Sequence, residues 1–472
     1  MSVCGFAATF SIAGLSFAVT MFVSAACARG ERPFRSVTAC AALSLAYSLT
    51  AAAALFFGAG YIASRWLGDA RAALSLKVFA CSLPFFAFSS CLRGYFIASR
   101  RALRSIVGDA LEQLARMTVA AAFFTLILPS DVEYACCAVV LGSLSSELCS
   151  FVFYLVSYLS DKRRYPASLP QKPSSGLLGK LLRVSVPVAL GAYLRSALVA
   201  AENLLIPRGL TLYGLSASDA LAQYGLVKGM ALPVLLFPSS IIASFALLLV
   251  PEVAQQNVSG ERRRIADMTE KALRATFLFS ILAAGSFACF GRRLGALLYP
   301  GSDAGRYIFI LAPVVPLFYV DFVVDNLLKA LGLQVTSLKF NTLDAFFRAL
   351  LVLALLPFTG TAGYVLILYA GSALNASLSL RKLLRASGAR IELRRWLLLP
   401  SLCSAVAGSV ALLLPELAPA PAVSVAISLL FNIVLYILLL YITRCITSYN
   451  ILWFLSSLGL RRSKPSKRGV SQ

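Results

Sequence analysis

The chain has 472 residues, of which 59% are hydrophobic and 13% charged, with no histidine and a formal net charge of +23 at neutral pH. A soluble domain is nearer half apolar, so the composition excludes one and describes an all-α, polytopic membrane protein whose core is the bundle itself. The missing histidine excludes the usual zinc sites and Ser-His-Asp triads. The charge does not indicate nucleic acid, because the cations gather in alternate loops between apolar runs.

Apolar runs near 3–28, 38–64, 74–98, 105–128, 134–159, 177–206, 222–250, 272–299, 306–330, 336–357, 361–380, 396–414 and 422–443 predict about thirteen transmembrane helices. Basic clusters separate them: Arg29, Arg32 and Arg35; Arg100, Arg101 and Arg104; Lys162, Arg163, Arg164 and Lys172; Arg262, Arg263 and Arg264; the stretch 381–395; and the tail from Arg461. The loops 129–133, 358–362 and 415–421 carry few cations or none. This positive-inside pattern puts the basic loops and the C-terminus on the cytoplasmic side of the membrane and the N-terminus outside. The basic loops also face anionic lipid headgroups. The first run starts without a cationic region, unlike a signal peptide. The eleven cysteines show no CxxC spacing and read as small packing residues.

The loop 160–175 (SDKRRYPASLPQKPSS) combines charge, proline and serine and is the best linker in the chain. The expected organisation is an N-terminal lobe over 1–160, a cytoplasmic linker over 161–175 and a C-terminal lobe over 176–386. Two extra helices over 387–445 and a polar, disordered tail over 446–472 follow. An internal repeat crosses the linker. Ser16-Phe17-Ala18 recurs as Ser244-Phe245-Ala246, Gly30-Glu31-Arg32 as Gly260-Glu261-Arg262, Pro84 as a span-opening Pro313, and TLILP ending at Pro129 as LALLP ending at Pro357. All four fall at one offset of about 229 residues, which argues for two lobes built alike around a transport cavity. At that offset Met1 matches Gly229, so 176–228 has no counterpart in the first half. The expectation is a first lobe short of its first helix, with one more span preceding Met1.

Charges within spans mark candidate sites, since an intramembrane lysine costs roughly 2.5–3.5 kcal/mol and turns toward protein or water. Arg195 and Glu202 lie seven apart on one helix face. Lys228 precedes Pro233 and Pro238, each of which removes a backbone donor and bends the helix. Freed carbonyls then need water or neighbouring helices, as in the lining of a polar cavity. A kinked packing helix whose Lys228 snorkels is the competing reading. The fourth span begins with Asp109, Glu112, Gln113 and Arg116, and the tenth holds Asn341, Asp344 and Arg348. Glu112 with Arg116, and Asp344 with Arg348, are four apart and able to pair. Asp321 and Asp325 share the ninth span. Arg93, Lys329 and Lys339 sit near helix ends, where long cations snorkel. The candidate substrate-binding set is Lys228, Arg195, Glu202, Arg93, Glu112 and Arg116; no catalytic residue, metal site or cofactor is expected.

The wording YGLVKGMALPVLLFPSSIIASFALLLVPEVA at 224–254, preceded by ENLLIPRGL at 202–210, resembles the stage V sporulation protein B branch of the polysaccharide and lipid II flippases, within the MATE-like MOP exporters. Weaker likeness runs through LRGYF at 92–96 and LEQLAR at 111–116. The resemblance implies a flippase, not an enzyme, that carries an undecaprenyl-pyrophosphate-linked oligosaccharide of peptidoglycan or another polysaccharide by alternating access. Membrane lipids and cell-wall synthesis proteins are its implied partners. The membrane potential, Na+ or H+ are candidate driving forces. In the family an arginine stands five residues before a Leu-Pro proline, and Lys228 stands five before Pro233, so the resemblance implies Lys228 as a headgroup-contacting cation. Chemically, lysine and arginine can offset pyrophosphate charge in low dielectric. The chain departs from relatives at Ser16 and Met21, where proline and lysine are frequent, and reads RGYFIA at 93–98 for RGYFQG. Three alternatives stand beside this reading. Asp321, Asp325 and Glu202 keep a drug or metabolite antiporter open, the departures keep an inactive structural paralogue open, and short histidine-free loops rank a membrane glycosyl- or acyltransferase low.

Overall fold

The computed structural model describes residues 2–12, 14–28, 31–67, 71–99, 101–127, 132–164, 177–413 and 421–445. All regular structure among these is helical. The linker after Arg164, the tail, Gly30 and Pro129 lie outside the described residues. The fold expected from composition is the one found: apolar stretches too long for soluble helices close their backbone hydrogen bonds internally, as a bilayer demands.

The chain packs as two compact units, Met1–Leu204 and Leu205–Gln472. Unit 1 holds α1 (Ser2–Ile12), α2 (Leu15–Ala28), α3 (Phe34–Tyr61), α4 (Ala72–Ala98), α5 (Ala102–Ile127), α6 (Val132–Arg164) and most of α7 (Leu177–Leu212). The expected span 3–28 is thus two helices, broken at Gly14. The α7 backbone at Ser185 and Ala189 passes directly against Gly14. Close by, Phe10 stacks on Tyr193 and its carbonyl accepts from the Tyr193 hydroxyl at 3.2 Å. The packing boundary therefore falls within α7, after Leu204, while the repeat begins its second copy before α7.

Unit 2 continues with α8 (Ala217–Gly225), a π-helical turn (Leu226–Ala231), α9 (Leu232–Leu236), α10 (Ser239–Ser259) and α11 (Arg262–Leu298). Then come α12 (Ala304–Leu311), a 3-10 turn (Ala312–Val314), α13 (Val315–Ala330) and α14 (Gln334–Ser387). The last two are α15 (Leu399–Leu412), entered through a π-helical turn at Arg394–Leu398, and α16 (Pro421–Ile442). Helix α14 is two spans. Gly360, at φ 58° and ψ −139°, folds it where the sequence places a short loop; that backbone is open to glycine and costly for other residues. Nine helices among the described residues are long and apolar enough to cross a membrane.

Pro313 does not open a span as expected. It sits in the 3-10 turn that breaks α12 from α13, and its counterpart Pro84 lies inside α4. Each proline removes one backbone donor from its span, and only at Pro313 does the helix break. Ala18 and Ala246, matched by the repeat, are both fully buried. Small residues at such points let helices approach closely, which is the main packing gain where lipid is as apolar as leucine. The α15–α16 hairpin docks on α11 this way: Asn432 donates to Ser286 at 2.9 Å and Tyr436 to the Leu278 carbonyl at 2.9 Å.

Candidate functional site

In unit 1 three helices bring charge together. Arg93 near the end of α4 reaches Asp109 at 3.0 Å and Glu112 at 3.1 Å on α5. Arg116, one turn beyond Glu112, pairs with it at 2.7 Å and lies 3.8 Å from Glu147 on α6. Its Nε donates to Ser146 at 3.4 Å. The Arg93 guanidinium also lies over the Tyr154 ring, 5.8 Å from its centroid. The Tyr154 hydroxyl is 3.0 Å from the Ser105 carbonyl and 3.1 Å from Asp109 and donates to one of them at a time. Arg93 therefore does not snorkel. Two carboxylates and an aromatic face hold it within the bundle, because pairing recovers more than stretching toward distant water.

Sequence reading found Arg93, Glu112 and Arg116 but not that they are one network, and it missed Glu147, Ser146 and Tyr154. Glu147 was visible as a lone charge in the apolar run LGSLSSELCSF; the tyrosine and serine carried no signal. Below this network, Asp161, fully buried on α6, binds both Arg101 and Arg104, the latter at 2.6 Å. Those two arginines, read as surface loop cations, thus clip α5 to α6.

Arg195 and Glu202 lie on α7, about 10 Å apart along its axis. Arg195 is exposed and Glu202 buried. Their shared helical face holds as register, and the two side chains meet different surroundings.

In unit 2, Lys228 sits inside the π-helical turn. Pro233 explains the turn. It lacks an N–H, and the preceding amide, Leu232, bonds five residues back to the Val227 carbonyl. The wider turn buries Val227 and Ala231 and leaves Lys228 and Gly229 exposed. Such single turns recur at functional sites because they redirect side chains and carbonyls. The span holding Lys228 is thus broken twice, at the π turn and again at Pro238, which starts α10. Above Lys228, Tyr224 stacks on Tyr364 at 6.2 Å, and Tyr307 donates to Gln223 at 2.7 Å.

A second network in unit 2 joins α13 to both halves of α14. Asn375 donates to Asp321 at 2.9 Å and to the side-chain Oδ1 of Asn341 at 3.2 Å. Asn341 donates to Asp325 at 3.3 Å, and Ser337 also donates to Asp325. Lys329 pairs with Asp325 at 2.6 Å, so it too is held and does not simply snorkel. Asp344 and Arg348 pair at 3.0 Å, as their spacing predicts. A methyl group on Gly371 would come within 2.5 Å of Arg348 Cδ and 3.0 Å of Asp344 Oδ1, so this glycine is the space the pair occupies. Among the described residues no three acidic, cysteine or histidine side chains are placed to hold a metal ion.

The fold is similar to that of transporters of the MOP superfamily. It is similar to the lipid II flippase MurJ in an inward closed conformation, with a TM-score of 0.62 over 94% of this chain and 96% of that one at 11% identity. It is also similar to an inward-facing multidrug resistance MATE transporter, with a TM-score of 0.55 over 82% and 89% at 14% identity. At such identities the likeness establishes the fold. Within that fold class the chain belongs to the polysaccharide biosynthesis protein family, which it matches over residues 1–256. It is 26% identical over 381 residues to stage V sporulation protein B of Bacillus subtilis (strain 168), covering 78% of this chain and 72% of that protein. Sporulation protein YkvU of the same organism is 24% identical over 236 residues, 49% and 52% of the two chains. The resemblance read from YGLVKG and its surroundings therefore stands, and the chain is a multi-span membrane protein of this family.

Proposed function

We propose that this chain is a flippase that carries an undecaprenyl-pyrophosphate-linked precursor of peptidoglycan or another envelope polysaccharide across the bacterial cytoplasmic membrane by alternating access. Lys228 carries the reading. It is a cation in the middle of an apolar stretch, exposed by a π turn that Pro233 enforces. A pyrophosphate headgroup needs such a cation in low dielectric, while the prenyl chain stays in lipid. Arg195 is likewise a cation exposed within its own span. Membership of the polysaccharide biosynthesis protein family and the likeness in fold to a lipid II flippase support this substrate class. The basic loops and C-terminus face the cytoplasm in this proposal, and the membrane potential, Na+ or H+ drives the cycle.

A cation antiporter would instead need cavity carboxylates available to the drug. Asp325 is engaged by Lys329 and Asn341, Asp321 by Asn375, and Glu202 is buried, so the flippase reading is preferred. The test is complementation of a flippase-depleted strain. Lys228→Ala is expected to abolish rescue at normal expression and Lys228→Arg to retain part of it. Full rescue by Lys228→Ala would remove the residue from the site, and no rescue by the unaltered chain would favour the inactive-paralogue alternative.

A further inference from the structure

The unit 1 network does not close on charge. Asp109, Glu112 and Glu147 bring three carboxylates to two guanidiniums, Arg93 and Arg116. Ionised throughout, the cluster carries one net negative charge inside a membrane-spanning bundle, where an uncompensated charge is heavily penalised.

Glu147 is the carboxylate left over. Its one ionic contact, to Arg116, is 3.8 Å, while the other pairs lie between 2.7 and 3.1 Å. The residue is only 6% exposed, and its Oε2 is buried with no hydrogen-bond partner. An anionic oxygen without a donor is the costly form; with a proton it becomes a donor itself. Ser150, three residues further along α6, has a buried hydroxyl that also makes no hydrogen bond. The charged groups around Glu147 come from both helices packed on α6, Arg93 from α4 and Glu112 and Arg116 from α5. Asp109 and Tyr154 close the far side of Arg93.

We propose that Glu147 is a proton-binding site built into this network, a function distinct from the headgroup cation at Lys228. Binding takes one proton from water, forms an O–H bond at the carboxyl group and makes the cluster neutral; release returns the proton to water. With Glu147 neutral, Arg116 belongs to Glu112. With it ionised, Glu147 and Glu112 compete for Arg116, and the proton thereby sets how α5 holds α6. A metal ion is the poorer occupant. It needs about six oxygen ligands, whereas two guanidiniums face this site and the described residues offer no ligand group for one.

Infrared difference spectroscopy on the full-length protein in lipid bilayers reads the site directly. The wild type is expected to show a protonated-carboxyl stretching band at neutral pH that fades in alkali. Glu147→Gln, which matches the neutral acid in shape, is expected to lose that band. Glu147→Asp is expected to keep it with a displaced midpoint, and this variant decides the question if Glu147→Gln does not fold. A wild type without the band at neutral pH, or a band unchanged in Glu147→Gln, overturns the proposal. So does a melting temperature raised by sodium over choline chloride in the wild type alone, which would mean a sodium site. Lys228 and substrate transport enter none of these readouts, so the result is independent of the flippase assignment.

Discussion

At one point of the internal repeat, unit 1 places Arg93, Glu112 and Glu147, and unit 2 places Asp321, Asn341 and Asn375, each about 229 residues later. The unit 2 trio joins three consecutive spans by direct side-chain contact, and the unit 1 trio does so with Arg116 as the link from Glu112 to Glu147. Unit 1 fills the position with full charges of both signs, and unit 2 with two amides and one carboxylate. Amides satisfy neighbours in place and do not change charge. Carboxylates and guanidiniums in a low-dielectric setting respond to every added or removed proton or ion. Unit 2 thus holds a structural clasp at this point of the sequence repeat, and unit 1 an electrostatically poised one.

The comparison is broken most severely at Glu112, which bridges both arginines. Glu112→Ala takes one charge-assisted bond from each arginine, leaving Arg93 to Asp109 and Arg116 to the more distant Glu147. It is expected to destabilise the purified protein by about 3–5 kcal/mol, at roughly 1.5–3 kcal/mol per bond to a charged group. The matching Asn341→Ala is expected to cost about 1–3 kcal/mol, the price of orphaned partners without net charge. Equal losses in thermal melting would show the two clasps to be equivalent after all. Gly371→Ala sharpens the unit 2 side, because the methyl forces Arg348 away from Asp344. A loss of about 1–3 kcal/mol is expected, and a neutral result would mean that the pair repacks freely. The smallest effect belongs to Lys329, whose side chain is 50% exposed. Lys329→Ala is expected to lower stability by less than about 1 kcal/mol, and a larger loss would move this pair into the buried clasp.

Helix content and most span positions were legible in the residues, because a bilayer forces about twenty apolar residues per crossing and leaves few other solutions. The i, i+4 pairs Glu112–Arg116 and Asp344–Arg348 were legible for a similar reason, since helical periodicity alone brings them together. Contacts between helices were not. Nothing in the order of residues says that Arg93 finds Asp109 across a turn, or that Glu147 arrives beside Arg116 thirty-one positions later.

Lys228 stands between these cases. Its place five residues before Pro233 marks a bend, since proline removes a donor wherever it sits. That the helix answers with a π turn, exposing Lys228 while burying Val227 and Ala231, depends on what packs against those two residues. Composition and periodicity by themselves determined a membrane bundle with charges inside its spans, because the solvent imposes that much on any chain. Tertiary structure alone decided which charges meet, how far apart, and which carboxylate is left without a full partner, because helix rotation and approach are set by small residues and neighbours distant in sequence.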